Sequence, residues 1–144
     1  MTASAEETVF RLDTKQSMAQ VYPAVHDALE EAKFFVVFEP DIGENLSRFA
    51  DHWGEDYNRN GLSGIRSMVF CNGWYANQVS NKDPRMLAMC PLRLTIIEKN
   101  GQASVLFVRP THAAEHSPAR DVLQEVEFEV IGAIRRGVAQ AGGG

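Results

Sequence analysis

The sequence is short of long apolar runs, positive charge and cysteine, and each shortage narrows what the protein can be. No apolar stretch approaches the roughly 20 residues that a membrane span requires, which excludes a transmembrane protein. Lys and Arg number 14 against 19 Asp and Glu, which gives a net charge of -5, and they are scattered along the chain. Nucleic acids and anionic membranes both require a basic patch, so we expect neither as a partner.

Only two cysteines are present, and 144 residues are enough to bury one core without a disulfide staple. The first ten residues, MTASAEETVF, lack the basic and hydrophobic regions of a secretory signal. We therefore expect a cytoplasmic protein whose cysteines are reduced. No repeat or linker divides the sequence, which predicts a single domain over 8–139 with flexible termini at 1–7 and 140–144.

The spacing of apolar residues predicts five strands and two main helices. The first helix, over 18–32, has Ser17 and Gln20 as a capping box, but Pro23 means that it is either kinked there or begins at Tyr22. The second starts at Ser117-Pro118. Strands are predicted over 8–12, 34–38, 65–70, 92–98 and 103–109, and Asn100-Gly101 predicts a tight hairpin turn between the last two.

Two details of this pattern concern the sheet. The run 34–38, FFVVF, is predicted to be a core strand with apolar contacts on both faces, and a short amphipathic helix is predicted over 41–54. Because the strands are separated by only one full crossover helix, a mainly antiparallel sheet is favoured over a doubly wound parallel one. We predict an α+β fold with two main helices packed on one face of the sheet.

Cys71 and Cys90 flank the connection between the two central strands. If those strands are antiparallel neighbours, the two thiols meet at one edge of the sheet. Their spacing of nineteen positions does not match a CxxC redox pair, a zinc knuckle or a haem-attachment motif. Two interpretations remain open: the thiols pack as small hydrophobes, which we favour, or they form a reactive, ligand-contacting or disulfide pair.

Residues next to the cysteines are candidates for binding a ligand. Asn72 and Gly73 follow a strand directly, where backbone amides can hold an anion or a carbonyl, although a helix cap explains them equally well. Trp74 and Tyr75, together with the aromatic residues at 49 and 53, could line a pocket for a flat ligand, but aromatic side chains at such positions are more often core.

The sequence indicates no metal site and leaves a cofactor unknown. His112 and His116 have the i, i+4 spacing of a chelating pair, but no third ligand is evident and Pro118 indicates a loop, so we predict no metal there. A nucleophile elbow, a P-loop, a GxGxxG turn and an HExxH motif are all missing from the sequence. Whether the protein is an enzyme is left open.

The stretches Phe34 to Glu39, MVFCN at 68–72 and DPRMLAMCPLRLTIIEKNG at 83–101 resemble the family known as domain of unknown function 302. The resemblance covers nearly the whole chain, with Cys71-Asn72-Gly73 where the family typically has Cys-Asn-Pro. It implies a strand-helix-four-strand-helix domain similar to the TATA-binding-protein architecture, often paired as a dimer. It brings no established activity.

Two functions are compatible with these observations. The first is a small cytoplasmic binding or accessory domain, a homodimer, whose cleft near Cys71, Asn72, Gly73, Trp74 and Cys90 takes up a small ligand. The alternative is a thiol redox or sulfur-transfer protein that uses Cys71 as nucleophile and Cys90 as resolving thiol.

Overall fold

The computed structural model describes residues 8–143, and its centre is one antiparallel sheet of five strands. The strands lie in the order β1-β5-β4-β3-β2, and every neighbouring pair is antiparallel. Their bounds are Val9–Asp13 (β1), Phe35–Phe38 (β2), Gly64–Cys71 (β3), Leu92–Lys99 (β4) and Gln102–Val108 (β5). The predicted α+β class and the strand-helix-four-strand-helix order are confirmed.

The described residues also form six α-helices and two 3-10 helices, of which the last two α-helices follow the last strand. The α-helices are Met18–Glu31 (α1), Ile42–Ser47 (α2), Ala50–Trp53 (α3), Gly73–Lys82 (α4), Pro110–Ala113 (α5) and Arg120–Gly143 (α6). The 3-10 helices are Gly54–Asp56 and Pro84–Met89. Within 8–143, no helix combines the length and the apolarity needed to cross a membrane.

Helix α1 begins at Met18 because its capping box is complete. The Gln20 N–H donates to Ser17 Oγ over 3.3 Å, and the Ser17 N–H donates to Gln20 Oε1 over 3.1 Å. Pro23 lies inside the helix and does not set its start, which decides between the two starts that the sequence left open. The apolar stripe of the helix, from Val21 to Leu29, is buried against the sheet.

The core lies between one face of the sheet and the two long helices, α1 and α6. Alternate residues of the central strands, such as Met68, Phe70 and Leu94, are buried in the same cluster as side chains from both helices. The two helices approach closely at Gly137, where an added Cβ would lie 2.8 Å from the Cα of Val25. This face of the sheet therefore holds the core, as the two-helix pattern predicts.

The hairpin between β4 and β5 has the predicted tight turn. Asn100 and Gly101 both have positive φ, at 54° and 76°, which is the type I′ geometry that Asn-Gly favours. Lys99 and Gln102 face each other across the turn. The turn therefore fixes the register of the two strands that it joins, β4 and β5.

The prediction of a core strand over 34–38 is wrong. Phe34 is buried, but strand β2 begins at Phe35 and is an edge strand, paired on one side only. Phe35, Val37 and Phe38 are 51%, 65% and 61% exposed. A run of five apolar residues fits either a central or an edge strand, because periodicity gives no information about which neighbours the strand will have.

Two helix predictions also need correction. The helix predicted over 41–54 divides at Arg48 and Phe49 into α2 and α3, and neither has a buried residue, although Asp41 caps α2 by accepting from the Glu44 N–H. The last helix begins at Arg120 instead of Ser117, and it continues to Gly143 through positions where the sequence indicated a tail. The N-terminal segment 1–7 lies outside the described residues.

Candidate functional site

Cys71 and Cys90 meet at one end of the sheet. Strands β3 and β4 are antiparallel, with Phe70 opposite Leu92, so the end of β3 lies beside the start of β4. The two Sγ atoms are 3.6 Å apart, and both cysteines are free thiols. A disulfide requires about 2.05 Å between the sulfur atoms, so the pair is in contact without being bonded.

The residue after Cys71 anchors this end of the sheet. Asn72 is the N-cap of α4, and its Oδ1 accepts a 3.0 Å hydrogen bond from the Tyr75 N–H. Its Nδ2 donates to the carbonyl oxygen of Lys33, also over 3.0 Å. Both polar groups of the Asn72 side chain therefore have structural partners, and the helix-cap interpretation accounts for them.

Asp83 holds the segment that leads to Cys90. It is 5% exposed and caps the Pro84–Met89 helix, with Oδ1 accepting from the Arg85 N–H over 3.2 Å. Oδ2 accepts from Ser117 Oγ over 2.6 Å, just before α6. Hydrogen bonds from the Arg85 side chain, and then from Ser117, lower the pKa of Asp83 to about 2.

The two thiols line one small cavity of about 30 Å³. The side chains around it come from the sheet end, from α4, from the Pro84–Met89 helix and from α6. Apart from Asn72 they are apolar, aromatic or sulfur-bearing: Phe34, Phe70, Cys71, Tyr75, Ala76, Val79, Met86, Met89, Cys90, Leu92, Leu123 and Val126. We refer to this cavity as the dithiol pocket. Its size suits a group of a few atoms and not an enclosed organic molecule.

Burial in this pocket changes the acidity of Cys90. Removal from water, and then the neighbouring Cys71 sulfur, raise the pKa of the Cys90 thiol to about 11. Both causes disfavour the Cys90 thiolate, because a charge in an apolar pocket is poorly solvated and the hydrogen bond with Cys71 favours the protonated form of Cys90. Cys90 is consequently a neutral thiol at pH 7.

The other predicted ligand residues do not all converge on the dithiol pocket. Trp74 is 66% exposed and does not line it, and neither does Gly73, where an added Cβ would meet nothing within 4 Å. Tyr75 does line the pocket, with its ring stacked on Phe34 at 5.9 Å between centroids. The aromatic pair Phe49 and Trp53 stacks separately at 5.0 Å. The predicted aromatic site for a flat ligand is therefore split between two places.

The two histidines lie elsewhere. His112 and His116 line a surface hollow together with Arg85 and Glu115. In the part of the chain that the structure describes, no three His, Cys, Asp or Glu side chains are grouped so that they could hold a metal ion. The i, i+4 spacing of the histidines is thus not completed by a third ligand of these types.

A larger cavity, of about 530 Å³, lies at the opposite end of β3 near Gly64. The sequence analysis missed it, because it forms where the loop after α3 returns to the sheet. Three of its four carboxylates have structural partners: Asp41 caps α2, Glu98 accepts from the first N–H of α1 over 2.7 Å, and Asp56 pairs with a neighbouring arginine. The fourth, Glu44, lies in the first turn of α2. The dithiol pocket therefore remains the better candidate for chemistry.

The sequence analysis also missed Met86 and Met89, which lie on the Pro84–Met89 helix and line the dithiol pocket. Their i, i+3 spacing in a segment that starts with Asp-Pro was the available signal, since residues three apart lie on one side of such a helix. Which side faces the cysteines depends on how the segment folds back onto α4. That arrangement is fixed by tertiary contacts.

Comparison with known proteins agrees with the fold. A crystal structure of the conserved DUF302 protein from Bacillus stearothermophilus superposes with a TM-score of 0.76 over 90% of this chain and 97% of that chain, at 17% sequence identity. None of the curated proteins compared with the chain matches it. The profile described as Domain of unknown function DUF302 matches residues 10–137, which is most of the sequence. The chain therefore belongs to the DUF302 family.

Proposed function

We propose that the protein is a small binding domain whose working site is the Cys71–Cys90 pair in the dithiol pocket. The observation that supports this proposal is the 3.6 Å separation of two free thiols in otherwise apolar surroundings. Two thiols at this distance can bind one atom together. The ligand class that fits the pocket is therefore a species that reacts with sulfur and binds to two adjacent thiols.

Binding fits this pocket better than hydrolysis or group transfer by acid–base catalysis. Among the described side chains that line it, none is a His, Asp, Glu or Lys that could move a proton at pH 7. Asn72 is polar, but its oxygen and its nitrogen are both engaged in the helix cap. The two thiols are thus the reactive groups that the pocket offers.

A second candidate is thiol–disulfide exchange, which the same proximity favours. The Cys71 thiolate would attack a disulfide of a partner, release one partner thiolate and leave a mixed disulfide. Cys90 would then lose its proton to solvent and attack Cys71 Sγ, releasing the second partner thiolate. Two electrons pass to the partner, and a Cys71–Cys90 disulfide remains in the protein.

Phenylarsine oxide tests the binding function, because the arsenic atom forms a stable product only with two adjacent thiols and releases one water. We expect one arsenical per native chain by intact mass, and none on Cys71→Ser or Cys90→Ser. If the native protein fails to react while the unfolded protein reacts fully, the two thiols only pack in the interior and do not bind a ligand. Incubation with oxidised glutathione tests the second candidate, whose product lacks two hydrogens and carries no glutathione.

We also propose that two copies form a homodimer in the cytoplasm. The apolar edge strand β2 supports the pairing, because a two-fold axis brings the same edge of both copies together. A cytoplasmic location fits a working dithiol, since cellular reductants there keep such thiols reduced. Light scattering on the purified protein tests the homodimer, and cell fractionation tests the location.

A further inference from the structure

From the sulfur atoms gathered around it, we infer that the dithiol pocket binds a soft monovalent metal ion, Cu(I), through Cys71, Cys90 and the thioethers of Met86 and Met89. This inference rests on the proposed binding function and names its ligand. It differs from the sequence-based expectation of no metal site, which considered only histidine, carboxylate and cysteine spacings.

The donor set selects the metal. The pocket is lined by two thiols and two thioethers, and soft sulfur ligands of this kind favour Cu(I) over hard ions. Carboxylate and imidazole groups, which Mg²⁺, Ca²⁺ and most Zn²⁺ sites use, do not occur among the described residues that line it. The side-chain oxygen of Asn72, Oδ1, already accepts from the Tyr75 N–H, and the Tyr75 hydroxyl donates to Glu125.

The size and position of the sulfur atoms fit a single ion. Cys71 Sγ and Cys90 Sγ are 3.6 Å apart, close enough for both to bind one ion placed between them. Met86 and Met89 lie on one short helix and both line the same cavity, so their side chains are available to an ion held there. A volume of about 30 Å³ holds an ion, whereas it excludes an organic cofactor.

Cu(I) binding changes the protonation of the two thiols in the pocket. One Cu(I) ion displaces one proton from each thiol, so two protons are released to solvent and the metal is held by two thiolates. The apolar walls formed by Phe34, Tyr75 and Val126 limit the approach of water. No change in oxidation state is required, and reduction of the thiols beforehand is the one condition.

The experiment uses the full-length reduced protein without oxygen and probes it with Cu(I) in competition with bathocuproine disulfonate. We expect one Cu(I) per chain by native mass spectrometry and a thiolate-to-copper absorption band in the near ultraviolet. Cys71→Ser and Cys90→Ser should each abolish the band. Met86→Leu and Met89→Leu should each weaken binding by at least about tenfold, the loss typical even of groups that only support a metal ligand.

Leu87→Ala is the matched control, because Leu87 lies on the same helix, is 37% exposed and does not line the pocket. Its Cu(I) affinity should equal that of the wild type, and thermal melts of all variants without metal confirm that they fold. Unchanged affinity in both methionine variants would overturn the four-sulfur site. Zn(II) binding as tight as Cu(I) binding would overturn the selection of a soft monovalent ion.

The two proposals fail in different ways. If bathocuproine disulfonate retains all the Cu(I) while phenylarsine oxide still bridges Cys71 and Cys90, the metal inference is overturned and the binding function stands. If neither probe engages the native pair, both are overturned. Ag(I), which shares the charge and softness of Cu(I), should compete for the same site and be lost in the same cysteine variants.

Discussion

The Ser117 hydroxyl donates a 2.6 Å hydrogen bond to Asp83 Oδ2, and this contact ties the segment that leads to Cys90 to the residues that lead into α6. Asp83 is buried and also accepts hydrogen bonds from the backbone and side chain of Arg85. The Pro84–Met89 helix therefore has a fixed start, which positions both methionines and Cys90. The site depends on a polar cluster that lies outside it.

The Asp83 cluster predicts a specific loss of stability in acid. The pKa of Asp83 is lowered from 3.8 to about 2 in the folded protein, so its stabilising effect is complete above about pH 4 and is lost as the pH falls to about 2. Asp83→Asn should therefore lower the melting temperature at pH 7, and the difference from the wild type should shrink between pH 4 and pH 2.

The control for this measurement is Asp56→Asn, which removes an exposed ion pair with Arg59. Exposed pairs contribute little, so its melting temperature should stay close to the wild-type value at every pH. Equal melting temperatures for Asp83→Asn and the wild type at pH 7 would contradict a stabilising role for the Asp83 cluster.

The acidity of Cys90 gives a second prediction. Its pKa is raised from 9.0 to about 11, chiefly by burial, so its alkylation by iodoacetamide should keep accelerating up to about pH 11. In Cys71→Ser the neighbouring sulfur is absent, and the midpoint should fall but remain above 9 because burial persists. Peptide mass spectrometry measures the rate at Cys90, and circular dichroism at each pH checks that the protein stays folded. A midpoint at the ordinary value in the folded wild type would contradict burial of the thiol.

The sequence predicted where the thiols meet but not what surrounds them. Antiparallel pairing of the strands after residue 65 and after residue 92 is enough to bring Cys71 and Cys90 to the same edge, whatever the details of packing. Trp74 is exposed and does not line the pocket, and the sequence could not predict this because it depends on which face of α4 packs inward. The methionines were missed because the fold of 84–89 onto α4 is decided by tertiary contacts.

The sheet was also only partly predictable from the sequence. Asn100-Gly101 identified the hairpin, because the backbone geometry of a type I′ turn requires two residues that tolerate positive φ. In contrast, the apolar run 34–38 was assigned to the core, although only Phe34 is buried. Local chemistry determines turns and caps, whereas the position of a strand within a sheet depends on every other strand.

The close contact between α1 and α6 predicts opposite effects at two glycines of the same helix. In Gly137→Ala the new Cβ would lie 2.8 Å from Val25 Cα and 2.9 Å from the Ala24 carbonyl oxygen, both backbone atoms that cannot move aside. We expect a loss of stability of about 1–3 kcal/mol, the usual effect of overpacking a core. Urea unfolding followed by circular dichroism measures it.

Gly132→Ala is the matched control for that substitution. Its new Cβ would meet only Arg136 Nη1, at 3.2 Å, and that flexible side chain can move. Because alanine favours a helix over glycine by about 1 kcal/mol, this variant should be as stable as the wild type or more stable. If Gly137→Ala is also stabilising, the helices do not approach each other as closely as the structure shows.

The exposed edge of the sheet gives the last prediction, which concerns the proposed homodimer. Phe38 lies on β2 and is 61% exposed, and its register partner is Val69, on the sheet face opposite the core. Phe38→Glu introduces a charge that two paired edges would have to bury, so it should convert a dimer into monomers. Light scattering should give twice 16.0 kDa for the wild type and 16.0 kDa for this variant.

Phe128→Glu separates a specific effect from a general effect of removing an exposed phenylalanine. Phe128 is 75% exposed on α6, in the helix layer on the other side of the sheet, so this variant should stay a dimer. A wild-type mass of 16.0 kDa would refute the dimer outright. Dissociation by both variants would exclude β2 as the particular contact, because charges on two opposite sides of the domain would then act alike.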